Sequence, residues 1–405
     1  MRLGHLQPLY ERPDRPGPWA SVYFDTSHPD ESAAQEWERA AREAGRRLEG
    51  QGADRATCRA VYERLTAAPP GPGPAAGRAV FATAGEVVVD TPLPTPPPMG
   101  EAPCWSALPH VGPLLELTGE DPSCLVAYID RTGADVELRY GHGLRDGHGL
   151  RDGHAGDRLG SVHGRQWPVH RTASADWSER HFQLKTENTW ERNAALIADE
   201  LRACQEEIQA DLVVLAGDPR ERRAVRDQLP KALRSAAVET ARGGRAPGSA
   251  SPGTHAARLL DQEVDGARAR HAQERGVAAM ERFRAGRMPS DGRVEAAEGV
   301  PALVDAAREH RIGSLLIRPD GPDLYREVWV GTEPDQLALR RTDVQYLGDA
   351  RPSPARADDA LIRSAAVTGA EVLTVPSADG ETYGDNIPVG GLGALLRWPY
   401  EGGAD

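Results

Sequence analysis

The sequence predicts an α/β protein built from three domains. Its 405 residues exceed the roughly 100–200 residues that one compact domain usually holds. Short β-branched and apolar runs alternate with amphipathic helical segments along the chain. Stretches rich in Gly and Pro, of which the chain has 43 and 33, interrupt this alternation. We place the domains at 1–118, 119–265 and 266–405.

The first domain combines an alternating strand with two amphipathic helices and a hairpin. Its Ala84-Gly85 pair predicts the hairpin turn, and its proline runs predict extended loops. The predicted elements are strands 21–25, 78–82 and 86–89, helices 32–48 and 55–67, and loops 69–74 and 92–98.

The second domain repeats the pattern around a long loop rich in His, Gly and Arg at 139–185. Its strand 212–217 leads through Gly217 and Asp218 to Pro219, which predicts a helix start with Asp218 as the N-cap. The other predicted elements are a hairpin of strands 125–130 and 135–138, helices 187–209 and 219–229, a linker at 242–253, and a helix at 255–286.

The sequence of the third domain predicts an α/β/α sandwich. Its elements are helices 299–310 and 358–369, and strands 312–317, 327–330, 371–375 and 394–398.

Composition excludes several classes of protein. The net charge of −13 argues against a non-specific nucleic-acid coat, because such binding needs cationic charge against phosphates. No window has the roughly 18 apolar residues of a membrane span, and residues 1–10 lack the apolar core of a signal peptide. We therefore expect a cytoplasmic protein. Its four cysteines are too scattered for a disulfide framework or a zinc site.

A six-residue repeat lies in the long loop, where Gly141–Asp146 is copied as Gly147–Asp152. It spaces His142, His148 and His154 evenly. Because no acidic or thiol partner stands at a recognised spacing, a flexible loop is favoured over a metal site. No other cofactor motif is present: the turn after strand 212–217 lacks the Lys-Ser/Thr of a P-loop, and Asp130 is interpreted as a structural turn residue.

The same segment is locally cationic. Between Tyr140 and Arg171 it carries five arginines against three aspartates, and five of the twelve histidines. Aromatic residues lie among these cations, which is typical of stacking on bases combined with phosphate contact. The alternative is that the aromatics cover the sheet while the charges are solvated. The candidate RNA-binding residues of this segment are Arg158, His163, Arg165, Trp167, His170, Arg171, Trp177, Arg180, His181 and Lys185.

Four segments resemble the bacterial branch of the archaeal/eukaryotic release-factor and Pelota superfamily, the baeRF type. They are Pro18–Asp25, Tyr128–Val136, Pro168–Arg171 and Asp385–Arg397. The resemblance covers essentially the whole chain. It implies an RNase H-like middle domain, a Pelota-type C-terminal domain and binding in the ribosomal A site, with the middle domain at the peptidyl-transferase centre. A translational GTPase such as elongation factor Tu is an implied partner, and we expect a monomer off the ribosome.

The hydrolytic tip of the superfamily, Gly-Gly-Gln, is missing from the sequence. The most similar tripeptide is Gly164-Arg165-Gln166. Its Arg165 occupies a position at which the motif needs the backbone freedom of glycine. We therefore expect a non-catalytic factor that protects or silences ribosomes in stress. The alternatives are a peptidyl-tRNA hydrolase for stalled ribosomes that uses Gln166 or Gln183, and a stress scaffold that touches no RNA.

Overall fold

Helices and strands alternate through the chain, as the sequence predicts. The computed structural model describes residues 6–10, 17–27, 33–67, 76–97, 102–118, 122–130, 133–139, 157–163, 178–240, 255–288, 293–375 and 388–401. These residues form two compact units. The first lies within 1–120 and 274–405, and the second within 121–141 and 153–273. The α/β class is confirmed, and the division into three domains stays a prediction.

The N-terminal part of the first unit is an antiparallel sheet with helices. Strands β1 (Trp19–Asp25), β2 (Gly77–Thr83), β3 (Glu86–Leu93) and β4 (Cys104–Ser106) have the order β3-β2-β1-β4. The helices are α1 (Gln7–Tyr10), α2 (Ala33–Gly50), α3 (Arg55–Thr66) and α4 (Gly112–Thr118). The predicted hairpin is confirmed: Ala84 and Gly85 have φ values of 50° and 82°, which a type I′ turn requires.

The two faces of this sheet contribute to different cores. One face places Val22, Phe24 and Val80 in a cluster with Ala41 and Val61 of α2 and α3. The other face joins a larger cluster that continues into the C-terminal part of the same unit. The alternation of β1 therefore buries side chains on both sides of the strand.

That C-terminal part contains a four-stranded sheet between helices. Strands β10 (Arg293–Glu298), β11 (Ile312–Ile317), β15 (Glu371–Thr374) and β16 (Leu392–Glu401) have the order β10-β16-β11-β15, and only the β11–β15 pairing is parallel. Helices α9 (Val300–Arg308) and α11 (Ala357–Thr368) join the shared core. Phe283, near the end of α8 (His255–Gly286), belongs to the core cluster on the other face. This is the predicted α/β/α sandwich.

A small second sheet interrupts the sandwich between β11 and α11. Strands β12 (Glu327–Val330), β13 (Leu337–Ala338) and β14 (Ser353–Arg356) have the order β13-β12-β14 and are accompanied by α10 (Arg341–Tyr346) and a 3-10 helix, Pro322–Tyr325. Of these strands, the sequence predicted only β12.

The second unit is a five-stranded sheet with helices on both faces. Strands β5 (Cys124–Asp130), β6 (Gly133–Arg139), β7 (Asp157–His163), β8 (Leu212–Gly217) and β9 (Ala237–Glu239) have the order β7-β6-β5-β8-β9. The first three are antiparallel, and β8 and β9 continue the sheet in parallel to β5. This is the RNase H-like order. Helices α5 (Ser178–Ile208), α6 (Pro219–Gln228) and α7 (Lys231–Ala236) complete the unit together with α8.

Local chemistry explains the turn between β8 and α6. The Asp218 carboxylate accepts a hydrogen bond from the Arg220 N–H at 2.9 Å, and Pro219 opens the helix, which confirms the predicted cap. Gly217 has a φ of 152°, and a Cβ at this position would lie 2.4 Å from the Ile129 carbonyl oxygen. Glycine thus permits β5 and β8 to pair up to their ends.

The predicted continuous loop at 139–185 is wrong in two places. Strand β7 lies within it, and α5 begins at Ser178 rather than near residue 187. No helix in the described ranges is long and apolar enough to cross a membrane. The four cysteines are free thiols, with Cys124 and Cys204 buried.

Candidate functional site

The predicted rRNA-binding residues fall in and around two elements of the second unit. Arg158 and His163 belong to β7, the outer strand of the sheet, where Arg158 is in register with Glu137 and His163 with Gly133. Among the described strands β7 pairs only with β6, so its other edge is the one that would carry a contact surface.

The second group lies in the first turns of α5. Arg180, His181 and Lys185 are helical there, as is Gln183 of the alternative hydrolase mechanism. Helical backbone sets consecutive residues about 1.5 Å apart along the axis, so these positions span roughly 8 Å. The structure thus gives a helical backbone to positions that the sequence placed in a loop.

The remaining predicted site residues lie outside the described ranges. They are Arg165, Gln166, Trp167, His170, Arg171 and Trp177, together with the histidine repeat at 141–154. The rRNA interface and the two glutamines therefore stay predictions.

Sequence reasoning missed a buried polar cluster in the first unit. It consists of His110, which precedes α4, and Asp358 and Asp359 in the first turn of α11. All three side chains are buried, and the ligand atoms that they offer lie within 4.8 Å of one another.

The Asp359 carboxylate is held from the N-terminal part of the chain. The Nδ1 of His110 lies 3.1 Å and 3.2 Å from its two oxygens, and the Val111 N–H donates to Oδ1 at 3.2 Å. When Asp359 is ionised, this ring nitrogen carries a proton, because its lone pair would otherwise face the lone pairs of both carboxylate oxygens. His110 therefore donates to Asp359.

The Asp358 carboxylate is held from its own neighbourhood. Arg356 donates from Nε and Nη2 to its two oxygens at 3.0 Å and 2.6 Å, and the Asp359 N–H donates to Oδ1 at 2.8 Å. The guanidinium of Arg356 also stacks over the Tyr325 ring, 4.3 Å from its centroid. This fork-to-fork geometry is the strong form of an arginine–carboxylate pair.

These contacts decide between a metal centre and a structural link. A divalent cation would have to displace the His110 proton and compete with Arg356, whose positive charge lies on the same carboxylate. The donor set is thus already satisfied by protein groups. The cluster acts as an ionic link between residues 102–118 and α11.

Burial determines the proton affinity of the cluster. Burial raises the pKa of Asp359 to about 6, with the neighbouring charge of Asp358 acting in the same direction. Burial alone would lower the pKa of His110, but the charge and hydrogen bond of Asp359 outweigh it and raise the pKa. The pair therefore takes up a proton when the fold forms.

The backbone around His110 is fixed as firmly as its ring. Its N–H donates to the Ser21 Oγ at 2.9 Å, and its carbonyl accepts from the Tyr23 hydroxyl at 2.7 Å. The Leu114 N–H in turn donates to the same hydroxyl at 3.1 Å. Strand β1 therefore orients the histidine toward α11.

Tyr10 borders the cluster. Its hydroxyl is buried and has no hydrogen-bond partner among the described residues, and burial followed by the charge of Asp359 raises the pKa of this hydroxyl. No sequence motif marks the cluster: Asp358 and Asp359 have the typical position of acidic residues in a first helical turn, and His110 lies 249 residues before Asp359.

Comparison with known proteins finds a family-model match over part of the chain. Residues 123–288 match the model of the bacterial archaeo-eukaryotic release factor family 2. The match supports the bacterial release-factor and Pelota-type superfamily. The matched segment contains β5–β9 and α5–α7 of the second unit together with all of α8, and so the carriers of the predicted basic surface.

Relatives of similar length also exist. The "Uncharacterized protein MT2704" and the "Uncharacterized protein Rv2629" of Mycobacterium tuberculosis (strains CDC 1551 / Oshkosh and ATCC 25618 / H37Rv) are each 29% identical over 391 residues, with 94% of both chains covered.

Solved structures show weaker likeness. A model of ribosome-bound archaeal Pelota and ABCE1 aligns with a TM-score of 0.39, 13% identity and 98% and 94% coverage of the two chains. Dom34 of S. cerevisiae, described as interacting with Hbs1, aligns with a TM-score of 0.34, 10% identity and 68% and 63% coverage. Likeness at this level assigns no function.

Proposed function

We propose that this protein is a ribosome-associated, release-factor-like translation factor that binds the ribosomal A site and silences or protects ribosomes in stress. The observation that carries the proposal is the family-model match over residues 123–288. The ribosome-hibernation factor Balon is an example of the function that we propose. A translational GTPase is the proposed second partner.

The distribution of charge along the chain supports a localised contact with RNA rather than a general affinity for RNA. The chain as a whole is acidic at −13, while the segment from Tyr140 to Arg171 has more arginines than aspartates. Contact with rRNA then depends on a few cations in one place, and its affinity falls steeply with salt.

The missing Gly-Gly-Gln sequence supports silencing rather than hydrolysis. In an acyl-transfer site, water has to be positioned to within a fraction of an ångström. Arg165 in the place of a glycine restricts the backbone that would do so.

The first experiment is co-sedimentation with 70S ribosomes from stationary cells. We expect the protein in the ribosomal pellet at low salt, and its absence from ribosomes under every growth condition contradicts the proposal. A double variant, Arg180→Gln with Lys185→Gln, should bind about tenfold more weakly, because two cations near phosphate are lost.

Arg202→Gln is the matched control, since Arg202 is an exposed arginine on the same helix α5 and pairs with Glu206. Equal binding of this control and the double variant contradicts the proposed contact surface. Release of peptide from peptidyl-tRNA by the native protein, lost in Gln166→Ala or Gln183→Ala, would instead identify a hydrolase.

A further inference from the structure

A groove of about 380 Å³ lies between β1 and α2 in the first unit. Its floor is apolar and consists of the buried side chains of Val22, Phe24 and Ala44. Trp37 of α2 lines it as a half-buried ring, and Pro103 lies on the other side. The volume is within the usual range of ligand sites, roughly 300–1,000 Å³.

The wall at Pro103 is fixed to the end of α2. Gln51, which directly follows that helix, donates from Nε2 to the Pro103 carbonyl at 2.8 Å and accepts at Oε1 from the Trp105 N–H at 2.7 Å. This pair of hydrogen bonds resembles the backbone pairing between two neighbouring β-strands. These bonds hold the Pro103 side of the groove at the end of α2.

The rim of the groove is acidic. Asp25, Glu36 and Glu43 are all exposed there, and Arg47 is the cation among the lining residues. Arg47 is paired with Glu43 at 3.0 Å. The Asp25 carboxylate accepts only from the N–H and Oγ of Ser27, and within the described residues neither it nor Glu36 forms an ion pair. Two negative charges therefore remain uncompensated.

These features favour a cation with an apolar stem. A Trp face attracts an ammonium or guanidinium group, carboxylates attract it further, and an apolar floor accepts the methylene groups that carry it. Phosphate groups are disfavoured at the same place, because the uncompensated carboxylates repel them.

We propose that the groove between β1 and α2 binds an arginine or lysine side chain of a basic protein segment. The proposal is independent of the proposed ribosomal function, and its test contains no ribosomes. It makes the N-terminal part of the chain a protein-binding surface, distinct from the basic segment of the second unit.

The test uses the full chain and a fluorescein-labelled peptide, Gly-Arg-Gly-Arg-Gly, with fluorescence anisotropy as the readout. We expect Glu36→Gln and Trp37→Leu each to weaken binding about fivefold. Glu49→Gln is the matched control, because Glu49 is an exposed glutamate on α2 that does not line the groove. It should change the affinity by less than about twofold.

Two results overturn the proposal. One is a failure of the peptide to bind, and the other is an equal effect of Glu36→Gln and Glu49→Gln, which would mean that the overall negative charge attracts the peptide. A labelled single-stranded RNA is the third arm: binding of this RNA that is lost in Trp37→Leu would also overturn it. Circular dichroism checks the fold of each variant, and Glu36→Gln, an exposed change, keeps the test decisive if Trp37→Leu fails to fold.

Discussion

The buried link between His110 and Asp359 yields a quantitative prediction. His110→Ala should lower the free energy of unfolding of the first unit by about 3 kcal/mol near pH 6, at the low end of the roughly 3–5 kcal/mol expected when one partner of a buried ion pair is removed. The side chains are 7% and 2% exposed, so water cannot replace the lost donor. The Val111 N–H still donates to Asp359, which limits the loss.

The same variant should show a weaker effect at higher pH. The raised pKa of His110 means that its stabilising contribution is complete below the unfolded-state pKa of about 6.5 and disappears as the pH rises through the folded-state pKa. The raised pKa of Asp359, about 6, acts with the same sign but at lower pH, between its usual value of 3.8 and about 6. Stability of the native protein should therefore fall further as the pH rises above about 6.5 and through the raised pKa of His110, and the cost of His110→Ala should shrink with it.

Urea unfolding followed by tryptophan fluorescence, at about pH 6 and about pH 8, measures both effects. His271→Ala serves as the control, because His271 is a half-exposed histidine on α8. A cost below about 1 kcal/mol, or one that is equal at the two pH values, would refute the reasoning, since the link would then carry no buried charge.

Three further predictions concern the cores. Gly217→Ala should destabilise the second unit by about 3 kcal/mol in urea unfolding, because its Cβ would meet the Ile129 carbonyl oxygen at 2.4 Å; an unchanged midpoint contradicts the close approach. Phe81→Ala should cost about 3–5 kcal/mol in thermal unfolding, since the ring is fully buried against Tyr23 at 6.0 Å between centroids; a loss below about 1 kcal/mol contradicts this packing. Cys124, whose pKa burial raises to about 12, should react with a thiol reagent only after unfolding, whereas half-buried Cys58 reacts in the native state; equal rates contradict the burial of Cys124.

Much of the fold was predictable because its signals are local. The Ala84-Gly85 turn, the Asp218-Pro219 helix start and the apolar run of β8 each depend on a few neighbouring residues. The sequence missed β13 because it has only two residues, and it missed β14 because Ser-Pro-Ala-Arg contains a proline and no β-branched or aromatic residue. It also started α5 too late, because His, Lys and Gln weaken the apolar period over its first turns.

The buried cluster could not be predicted in the same way. In the sequence, Asp359 resembles an ordinary acidic residue of an exposed first helical turn, and His110 resembles an ordinary loop residue. Only the tertiary fold brings the two together across 249 residues. The basic segment is the opposite case: its composition indicates a function, while most of its side chains lie outside the described residues. The contact surface that local composition indicates thus stays a prediction, while the bonds that stabilise the fold leave no local signal in the sequence.

The shared core of the first unit has a consequence for synthesis of the chain. Residues such as Phe81 and Leu93 belong to the same apolar cluster as Leu361 and Ala365, which are translated long afterwards. At about 5–20 residues per second, the 249 residues from His110 to Asp359 take about 12 to 50 seconds to make. During that interval this face of the first sheet has α1 and α4 in its core cluster but lacks the apolar side chains of α9 and α11. Newly made chains should therefore depend on chaperones until translation passes α11.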